Sequence, residues 1–302
     1  VVCIVSFVSF FTNGFDQGID FVGGRTFQVQ FDQKVSPEEV SNALSTAAFF
    51  DEAEAKTFGN DNQLKITTKY KIDKQGVEVD KEVNEKLYAG LKKFFAKEIS
   101  YDQFTNTQEG KQFGVLQAMK VGPSIADDIK TAAGWAVLGS LVVIFLYILF
   151  RFRKWQYSFG AIVALFHDVL VVFGIFSLFY KILPFDMEIG QSFIAAILTV
   201  LGYSINDTVI VFDRIREFLT SKRVDRNDEA LINTAINDTL SRTIITSATV
   251  FVVVLILFLF GGDALKGFSL ALLIGVVVGT YSSICIATPI VVDFSSKKKQ
   301  IQ

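Results

Sequence analysis

Long apolar runs separated by short charged connectors constrain this 302-residue chain more than any other feature. A helix needs about 20 consecutive apolar residues to cross the hydrocarbon core of a bilayer. Five runs are of about that length: 132–150, 159–179, 192–212, 243–260 and 268–292. A shorter run, residues 1–11, is interpreted as the outer end of a first span that begins upstream. The pattern therefore predicts a six-helix transmembrane bundle.

The charged residues are distributed unevenly along the chain. Residues 12–130 hold 19 of the 31 acids and 15 of the 29 bases, which predicts a hydrophilic domain between the first two spans. The pI near 5.6 and the lack of a basic face exclude a nucleic-acid binder. Cys3 and Cys285 both lie in apolar runs, so neither a disulfide framework nor a CxxC metal site is expected.

The positions of Lys and Arg in the short connectors predict the orientation, because cytoplasmic loops of membrane proteins carry an excess of these residues. One side carries twelve of them, whereas the short connectors of the other side carry only Lys181 and Lys266. The twelve are Arg151, Arg153, Lys154, Arg214, Arg216, Lys222, Arg223, Arg226, Arg242, Lys297, Lys298 and Lys299. The bias places the richer side, and both termini, in the cytoplasm.

The predicted domains follow from this orientation. Residues 12–130 form a domain in the periplasm or its equivalent, 131–296 contain five further helices, 213–242 are a cytoplasmic connector, and 297–302 are a basic cytoplasmic tail. Within the connector, Leu231, Ala235 and Leu240 recur at helical spacing. That spacing predicts an amphipathic helix at the membrane surface, where its simplest role is anchoring.

Residues 25–121 have the pattern of a small α+β domain. The predicted elements are strands at 25–31, 52–58, 64–70 and 113–121, and helices at 36–49 and 80–97. Ser36 followed by Pro37 and Glu39 is typical of a capped helix start. The order β-α-β-β-α-β matches the ferredoxin-like arrangement. We find no nucleophile–base pair, metal-ligand cluster or phosphate loop in the domain, and we interpret its charges as a solvated surface.

Three ionisable residues lie well inside the predicted spans: His167, Asp168 and Asp207. Insertion of a charge at the centre of a membrane helix costs at least ~2.5–3.5 kcal/mol, so such a residue needs a partner, a wet cavity or a function. A function explains Asp207 better than packing does. Asp168 admits both explanations, whereas interhelical hydrogen bonding is sufficient for His167 and Asn206.

Small and polar residues share one face on each of three spans, and such faces mark where membrane helices pack closely. They are Gly160, Ala164, His167, Asp168, Val171 and Gly174 in the third span, Ala195, Ala196, Thr199, Gly202, Tyr203, Asn206 and Asp207 in the fourth, and Gly275, Gly279, Ser282 and Ser283 in the sixth. We expect these three faces to pack together in the centre of the bundle.

Arg242 begins the predicted fifth span, and Asp207 lies about five residues inside the fourth. The depth difference is about 8 Å, which a guanidinium can largely bridge directly or through water. Burial disfavours a charged carboxylate, whereas a nearby arginine favours it. The opposing influences leave Asp207 able to bind and release protons.

Several short motifs, taken together and in order, resemble those of the SecF family. They are Gly18-Ile19-Asp20-Phe21-Val22-Gly23-Gly24, Val121-Gly122-Pro123-Ser124, His167-Asp168-Val169, Gly202-Tyr203-Ser204-Ile205-Asn206-Asp207-Thr208, Asp213-Arg214-Ile215-Arg216-Glu217, Ser241-Arg242-Thr243 and Thr246-Ser247. Val22 departs from the Thr that is usual in the family. The resemblance covers nearly the whole chain.

The resemblance implies a function. SecF is the smaller half of the SecD–SecF export motor, in the resistance–nodulation–division superfamily of proton-driven machines. The implied role is a non-enzymatic, proton-motive-force-driven subunit in the bacterial inner membrane that pulls translocating unfolded polypeptides outward with SecD and the SecYEG channel. Asp207 and Arg242 match the positions thought to carry the proton step. Protons and membrane lipids are the other implied partners, and neither a cofactor nor a metal is expected. SecD is absent, so the chain is expected to be one half of a fused protein or to work with a separate SecD.

Three alternatives remain open. A proton-coupled exporter of small molecules or lipids from the same superfamily would need a substrate pocket, which a single domain of about 100 residues does not suggest. An intramembrane hydrolase using His167 and Asp168 would need a paired nucleophile, and adjacent helical residues point about 100° apart. A structural assembly factor for the channel is opposed only by the buried carboxylate.

Overall fold

The computed structural model describes residues 2–46, 48–74, 76–106, 113–183, 185–221, 228–262 and 265–296. Five helices in these ranges are long and apolar enough to cross a membrane, and a shorter apolar helix precedes them. The helices are α1 (Val2–Thr12), α2 (Ile19–Val22), α3 (Pro37–Leu44), α4 (Val77–Leu91), α5 (Tyr101–Thr105), α6 (Pro123–Phe152), α7 (Trp155–Phe179), α8 (Gln191–Ser221), α9 (Asp228–Phe260), α10 (Lys266–Ser282) and α11 (Thr288–Ser296). A π-helical segment, Ser283–Ala287, joins α10 to α11. The strands are β1 (Gly24–Gln30), β2 (Ala53–Thr57), β3 (Gln63–Thr68) and β4 (Gly114–Val121).

The connector between α8 and α9 differs from the prediction. Leu231, Ala235 and Leu240 belong to the first turns of α9, which runs without interruption into the membrane, so the separate surface helix was wrong. Their apolar positions continue the packing face of the span, with Ala235 fully buried. Arg242 therefore lies inside a long helix and does not begin one. Lys222, Arg223, Arg226 and the predicted basic tail lie outside the described residues.

The α+β domain lies between α1 and α6, and its main elements follow the predicted order β-α-β-β-α-β with the short α5 added before the last strand. Its four strands form an antiparallel sheet in the order β2-β3-β1-β4. Ser36 caps α3 as predicted by accepting the Glu39 amide, and Pro37 occupies the first turn. The bounds of the predicted strands agree to within two residues.

One face of the sheet builds the core of the domain. Alternate residues of β1 and β3, among them Val29, Leu64 and Ile66, are almost fully buried among side chains of α3 and α4. The opposite face is polar and carries Lys56 and Lys65. That polar face, rather than the apolar one, is available to contact the helical bundle.

Close helix packing in the bundle depends on small residues. A side chain at Gly160 would collide with Ala287, and one at Gly275 or Gly279 would collide with α8 at Val200 or Ser204. The predicted packing faces of the third and sixth spans are thereby confirmed. The predicted face of the fourth span is divided. Ala196 and Asp207 point into the bundle, whereas the remaining small and polar positions are exposed or half-buried: Ala195, Thr199, Gly202, Tyr203 and Asn206.

Candidate functional site

Asp168 is fully buried in the middle of α7 and joins three helices. Its Oδ2 accepts hydrogen bonds from the hydroxyl of Ser204 on α8 at 2.7 Å and of Ser282 on α10 at 2.9 Å. Its Oδ1 lies 3.2 Å from Nδ1 of His167. The carboxylate thus has three side-chain partners, which is what a buried charged group requires to be tolerated.

His167 extends this network toward the edge of the bundle. Its Nε2 lies 2.6 Å from the hydroxyl of Tyr281, and the two rings meet edge to face. The serine hydroxyls contact Asp168 and not the imidazole, and within the described part of the chain no serine or cysteine pairs with His167. Among the described residues, this network therefore contains no nucleophile–base pair of the kind proposed for an intramembrane hydrolase.

Asp207 is buried on α8 but has a much sparser environment. Its Oδ2 accepts one side-chain hydrogen bond among the described residues, from the hydroxyl of Ser247 on α9 at a long 3.3 Å. The Ser247 oxygen accepts from the hydroxyl of Tyr203 at 2.9 Å and lies 2.7 Å from that of Thr280. Three helices again meet at one carboxylate, but through a single contact.

Arg242 does not bind Asp207 directly. Among the ion pairs of the described ranges none joins the two, and the direct partner of the carboxylate is Ser247 instead. Arg242 precedes Ser247 by five residues, so it lies about 7.5 Å further along α9. The predicted depth difference is consistent with this arrangement, in which the two charges are not in direct contact.

Arg242 lines a polar cavity of about 1080 Å³ that begins one helical turn from Asp207. Four arginines and three carboxylates line it: Arg151, Asp213, Arg214, Arg216, Glu217, Asp238 and Arg242, with Ile210 and Thr239 between them. Asp213 pairs with Arg151 at 2.7 Å and with Arg216 at 3.0 Å. The cavity can hold water and a net positive charge close to the buried carboxylate.

Asn206, which precedes Asp207, and Gly202 both lie on the exposed side of α8. A side chain at Gly202 would meet no atom of the described chain within 4 Å. Among the described residues, neither of the two makes the interhelical hydrogen bond or close contact that was predicted for this face. Their face is open because α10 packs instead on the neighbouring face, at Val200 and Ser204.

The glycine motif connects α1 to the sheet. Gly18 precedes α2, Gly23 has a φ of +72°, which side-chain-bearing residues rarely adopt, and Gly24 lies against Ile19 with no room for a side chain. Asp20 Oδ2 accepts the backbone amide of Gln191, the first residue of α8, at 3.1 Å. The motif thereby docks onto the beginning of the helix that carries Asp207.

A charged cluster lies between the domain and the bundle. It consists of Lys56, Lys65, Asp16, Asp186 and Glu188. Its three carboxylates have oxygens within 4.8 Å of one another, the spacing of a metal site. Two lysine ammonium groups already pair with them, so the cluster is a set of ion pairs, and the interpretation of the domain's charges as a solvated surface was wrong here.

Sequence reasoning missed the roles of several residues. Ser204, Ser247 and Ser282 supply hydrogen bonds to the two carboxylates, and Tyr281 contacts His167. The usable signals were the helical spacing of Ser204, one turn before Asp207, and the place of Ser282 on the predicted packing face. The charged cluster had a signal too. Lys65 alternates with buried Leu64 and Ile66, so it had to lie on the face away from the core.

Together, the fold and these sites define a multi-pass membrane protein with an α+β domain between its first and second apolar helices and two carboxylates buried in its bundle. Residues 101–297 match the family model described as protein export membrane protein SecD/SecF, C-terminal, and residues 8–35 match the SecD/SecF GG motif. The chain is 43% identical to the protein translocase subunit SecF of Rhodothermus marinus over 298 residues, which cover 98% of this chain and 89% of the relative. It is 35% identical to that of Desulfurispirillum indicum over 296 residues, with 97% and 86% covered. The chain belongs to the SecF family.

A solved structure agrees with this assignment. The crystal structure of SecDF, a translocon-associated membrane protein from Thermus thermophilus, superposes with a TM-score of 0.78 at 32% identity. The match covers 98% of this chain and 36% of the SecDF chain, so the chain spans about a third of that protein.

Proposed function

We propose that the protein is a proton-motive-force-driven accessory subunit of the Sec translocase, which pulls unfolded polypeptides across the bacterial inner membrane with SecD and SecYEG. The relatives named as protein translocase subunits and the SecDF described as translocon-associated support this role. A single structural observation supports the proton coupling best. Asp207 is buried between helices, yet it keeps only one long hydrogen bond among the described residues.

The proposed topology has six spans, with α1 as the outer part of the first. The α+β domain lies in the periplasm, and the cavity around Arg242 opens to the cytoplasm. The lysine and arginine bias supports this orientation. The sheet order, read as β4-β1-β3-β2 with two helices on one face, supports a ferredoxin-like domain. Membrane lipids surround the exposed apolar side chains of α6 and α9.

Asp207 is the proposed proton carrier. When the carboxylate is ionised, Ser247 donates to it and the positive potential of the cavity at Arg242 stabilises it at a distance. When it is protonated, that attraction disappears, and α8 and α9 are free to change their packing. Asn206 stands beside it on the exposed face, where SecD would pack and where protons would enter.

Asp168 and His167 are proposed to support this cycle by holding α8 in place. Ser204 donates to Asp168 and lies one turn from Asp207 on the same helix. A shift of α8 would stretch this hydrogen bond, so the network defines the position to which the helix returns. One charge moved through the full membrane potential supplies about 2.3 kcal/mol per 100 mV, which biases such a two-state packing by more than tenfold.

The test is secretion into inverted membrane vesicles with and without an imposed proton gradient. Asp207→Asn keeps the shape of the side chain but fixes its neutral state. We expect this variant to insert and bind SecD normally while losing the gradient-dependent part of secretion. Asp293→Asn, the same change at an exposed position near the end of the last helix, is the matched control and should respond like wild type. A normal response of Asp207→Asn would refute the proposed role.

A further inference from the structure

The two lysines of the charged cluster occupy a position that the sheet alone would not favour. Lys56 and Lys65 stand directly opposite each other on β2 and β3, and like charges in such cross-strand pairs are destabilising. Their side chains are only 24% and 15% exposed, so water screens the repulsion between the two ammonium groups only weakly. Partners outside the sheet must therefore compensate for the repulsion.

Those partners are the three carboxylates. Lys56 pairs with Asp16, and Lys65 Nζ lies 2.5 Å from Asp186 and 2.7 Å from Glu188. Burial opposes the charged form of both lysines, but the surrounding carboxylates outweigh it and raise the pKa of Lys56 and of Lys65. Both ammonium groups thus stay charged because of contacts made across the boundary between domain and bundle.

The carboxylates belong to segments that lead into the membrane helices. Asp16 follows α1, whereas Asp186 and Glu188 lie in the connector immediately before α8. Backbone hydrogen bonds join the two segments, with the Gly18 amide donating to the Ile189 carbonyl at 3.1 Å and the Ile189 amide donating to the Asp16 carbonyl at 2.8 Å. The segments that follow α1 and precede α8 are therefore joined to each other, and their carboxylates bind the lysines of the sheet.

Asp207 lies on this same helix. From Gln191 to Asp207 α8 is continuous, a distance of about 24 Å for 16 residues. The domain is covalently attached through α1 and α6 and not through α8. Movement of α8 can reach the domain directly only through contacts such as those at its first residues.

We propose that the charged cluster is the joint that transmits movement of α8 to the α+β domain, with Lys65 and Glu188 as its positioning residues. This inference rests on the proposed function of Asp207, because it describes how a shift of the proton-carrying helix moves the domain. The cluster ties the lysine pair of the sheet to the chain three to five residues before α8. If α8 moves as a rigid helix, its first residues move with it and displace the domain through the contacts of the cluster.

The charge balance of the joint makes it sensitive to protons. Two ammonium groups face three carboxylates, and Glu54, which is exposed and 3.3 Å from Lys56, adds a fourth acid at the edge. Burial and the neighbouring Asp186 raise the pKa of Glu188 above its ordinary 4.5, against the opposing effect of Lys65 and Lys56. The assembled cluster therefore binds a proton more tightly than the separated segments do. The stability that protonation of Glu188 adds to the assembled cluster is complete below pH 4.5, and it is lost as the pH rises through the raised pKa of Glu188.

The first test reverses one charge and then restores the pair. Lys65→Glu places a fourth acid among the three carboxylates, and Lys65→Glu with Asp186→Lys rebuilds an ion pair in the opposite sense. Lys69→Glu, at an exposed position just after the same strand, is the matched control. Amide hydrogen-exchange protection at Ile189 and Gly18 is measured in the membrane-embedded SecD complex, alongside gradient-stimulated secretion.

We expect Lys65→Glu to lower protection at both amides by about tenfold or more, as the loss of one charge-assisted hydrogen bond implies, and to lower gradient-stimulated secretion as well. The double variant should recover a substantial part of both, and Lys69→Glu should change neither. Loosened amides with normal secretion would overturn the transmission role and leave that of Asp207 intact. Unchanged amides, or a folded double variant with no recovery, would overturn the joint itself.

The second test covers the case in which Lys65→Glu fails to insert. Glu188→Gln mimics the protonated side chain and keeps its shape. Protection at Ile189 in wild type should rise as the pH falls from neutral toward 4.5, whereas in Glu188→Gln it should stay high throughout. A wild-type profile that falls with acid, or a variant that follows wild type, would contradict the role of Glu188. If Asp207→Asn also secretes normally, the proposed function fails, although this exchange result stands by itself.

Discussion

Asp168 and Asp207 are both carboxylates buried among the same helices, but their surroundings differ in the number of donors. Asp168 is bound by two serine hydroxyls at 2.7 and 2.9 Å and contacts His167. Asp207 has one hydroxyl at 3.3 Å and a polar cavity one turn away. The Asp168 carboxylate is held in place by three partners, whereas the single long contact of Asp207 can be lost without breaking a network.

The two carboxylates also differ in which helices their hydrogen bonds join. The partners of Asp168 lie on α8 and α10, so its network ties both helices to α7. The partner of Asp207 lies on α9, the helix that also carries Arg242. Under the proposed function, a proton on Asp207 acts on the contact between α8 and α9, and the Asp168 network defines the position to which α8 returns.

We expect the largest difference between the two sites in the free energy of unfolding after each carboxylate is replaced by alanine. Asp168→Ala leaves two buried serine hydroxyls and an imidazole nitrogen without their partner, at about 1–3 kcal/mol for each unsatisfied group. We expect its free energy of unfolding in mixed micelles to fall by at least about 3 kcal/mol. Asp207→Ala removes the same atoms but leaves only one donor unpaired, so its loss should be about 1 kcal/mol. Equal losses would mean that the two environments are equivalent.

A smaller effect should separate the serines that serve the two carboxylates. Ser247→Ala removes the donor of Asp207, and a hydrogen bond to a charged group is worth about 1.5 kcal/mol, or roughly tenfold. Since the ionised form loses its support, secretion should reach half its gradient-stimulated maximum at about tenfold lower external proton concentration.

Ser204→Ala is the matched control for this prediction, because it removes one donor from Asp168 and leaves Asp207 untouched. Its secretion should keep the wild-type proton dependence. If both serine variants shifted the dependence equally, the two carboxylates would be acting as one unit.

Much of the fold could be predicted from the sequence, because each predicted feature had its own local signal. The apolar runs predicted the five long helices, alternation predicted the strands to within two residues, and the capped start predicted where α3 begins but not where it ends. The connector failed because helical spacing at Leu231 and Ala235 indicates a helix but not whether it continues into the span. A cap or a break between the two segments would have marked separate helices. The sequence shows neither where a polar helical segment continues directly into an apolar one.

The candidate site was only partly predictable for a different reason. Buried carboxylates are conspicuous in an apolar span, so Asp168 and Asp207 were found. Ser247, the partner of Asp207, and Tyr281, the partner of His167, are ordinary residues in membrane helices, and only the packing of distant helices brings these pairs into contact. Lys56 and Asp16 were missed likewise, because their pairing joins segments 40 residues apart.

The most direct test of the account is whether Asp207, and not Asp168, changes its protonation. Infrared difference spectra of the purified protein between acidic and neutral pH report the appearance of protonated carboxyl groups. In wild type we expect a carboxyl band from a buried site that is absent in Asp207→Asn and retained in Asp168→Asn. A band that persists in Asp207→Asn and disappears in Asp168→Asn would show that the proton is carried at the other carboxylate, which would contradict the account.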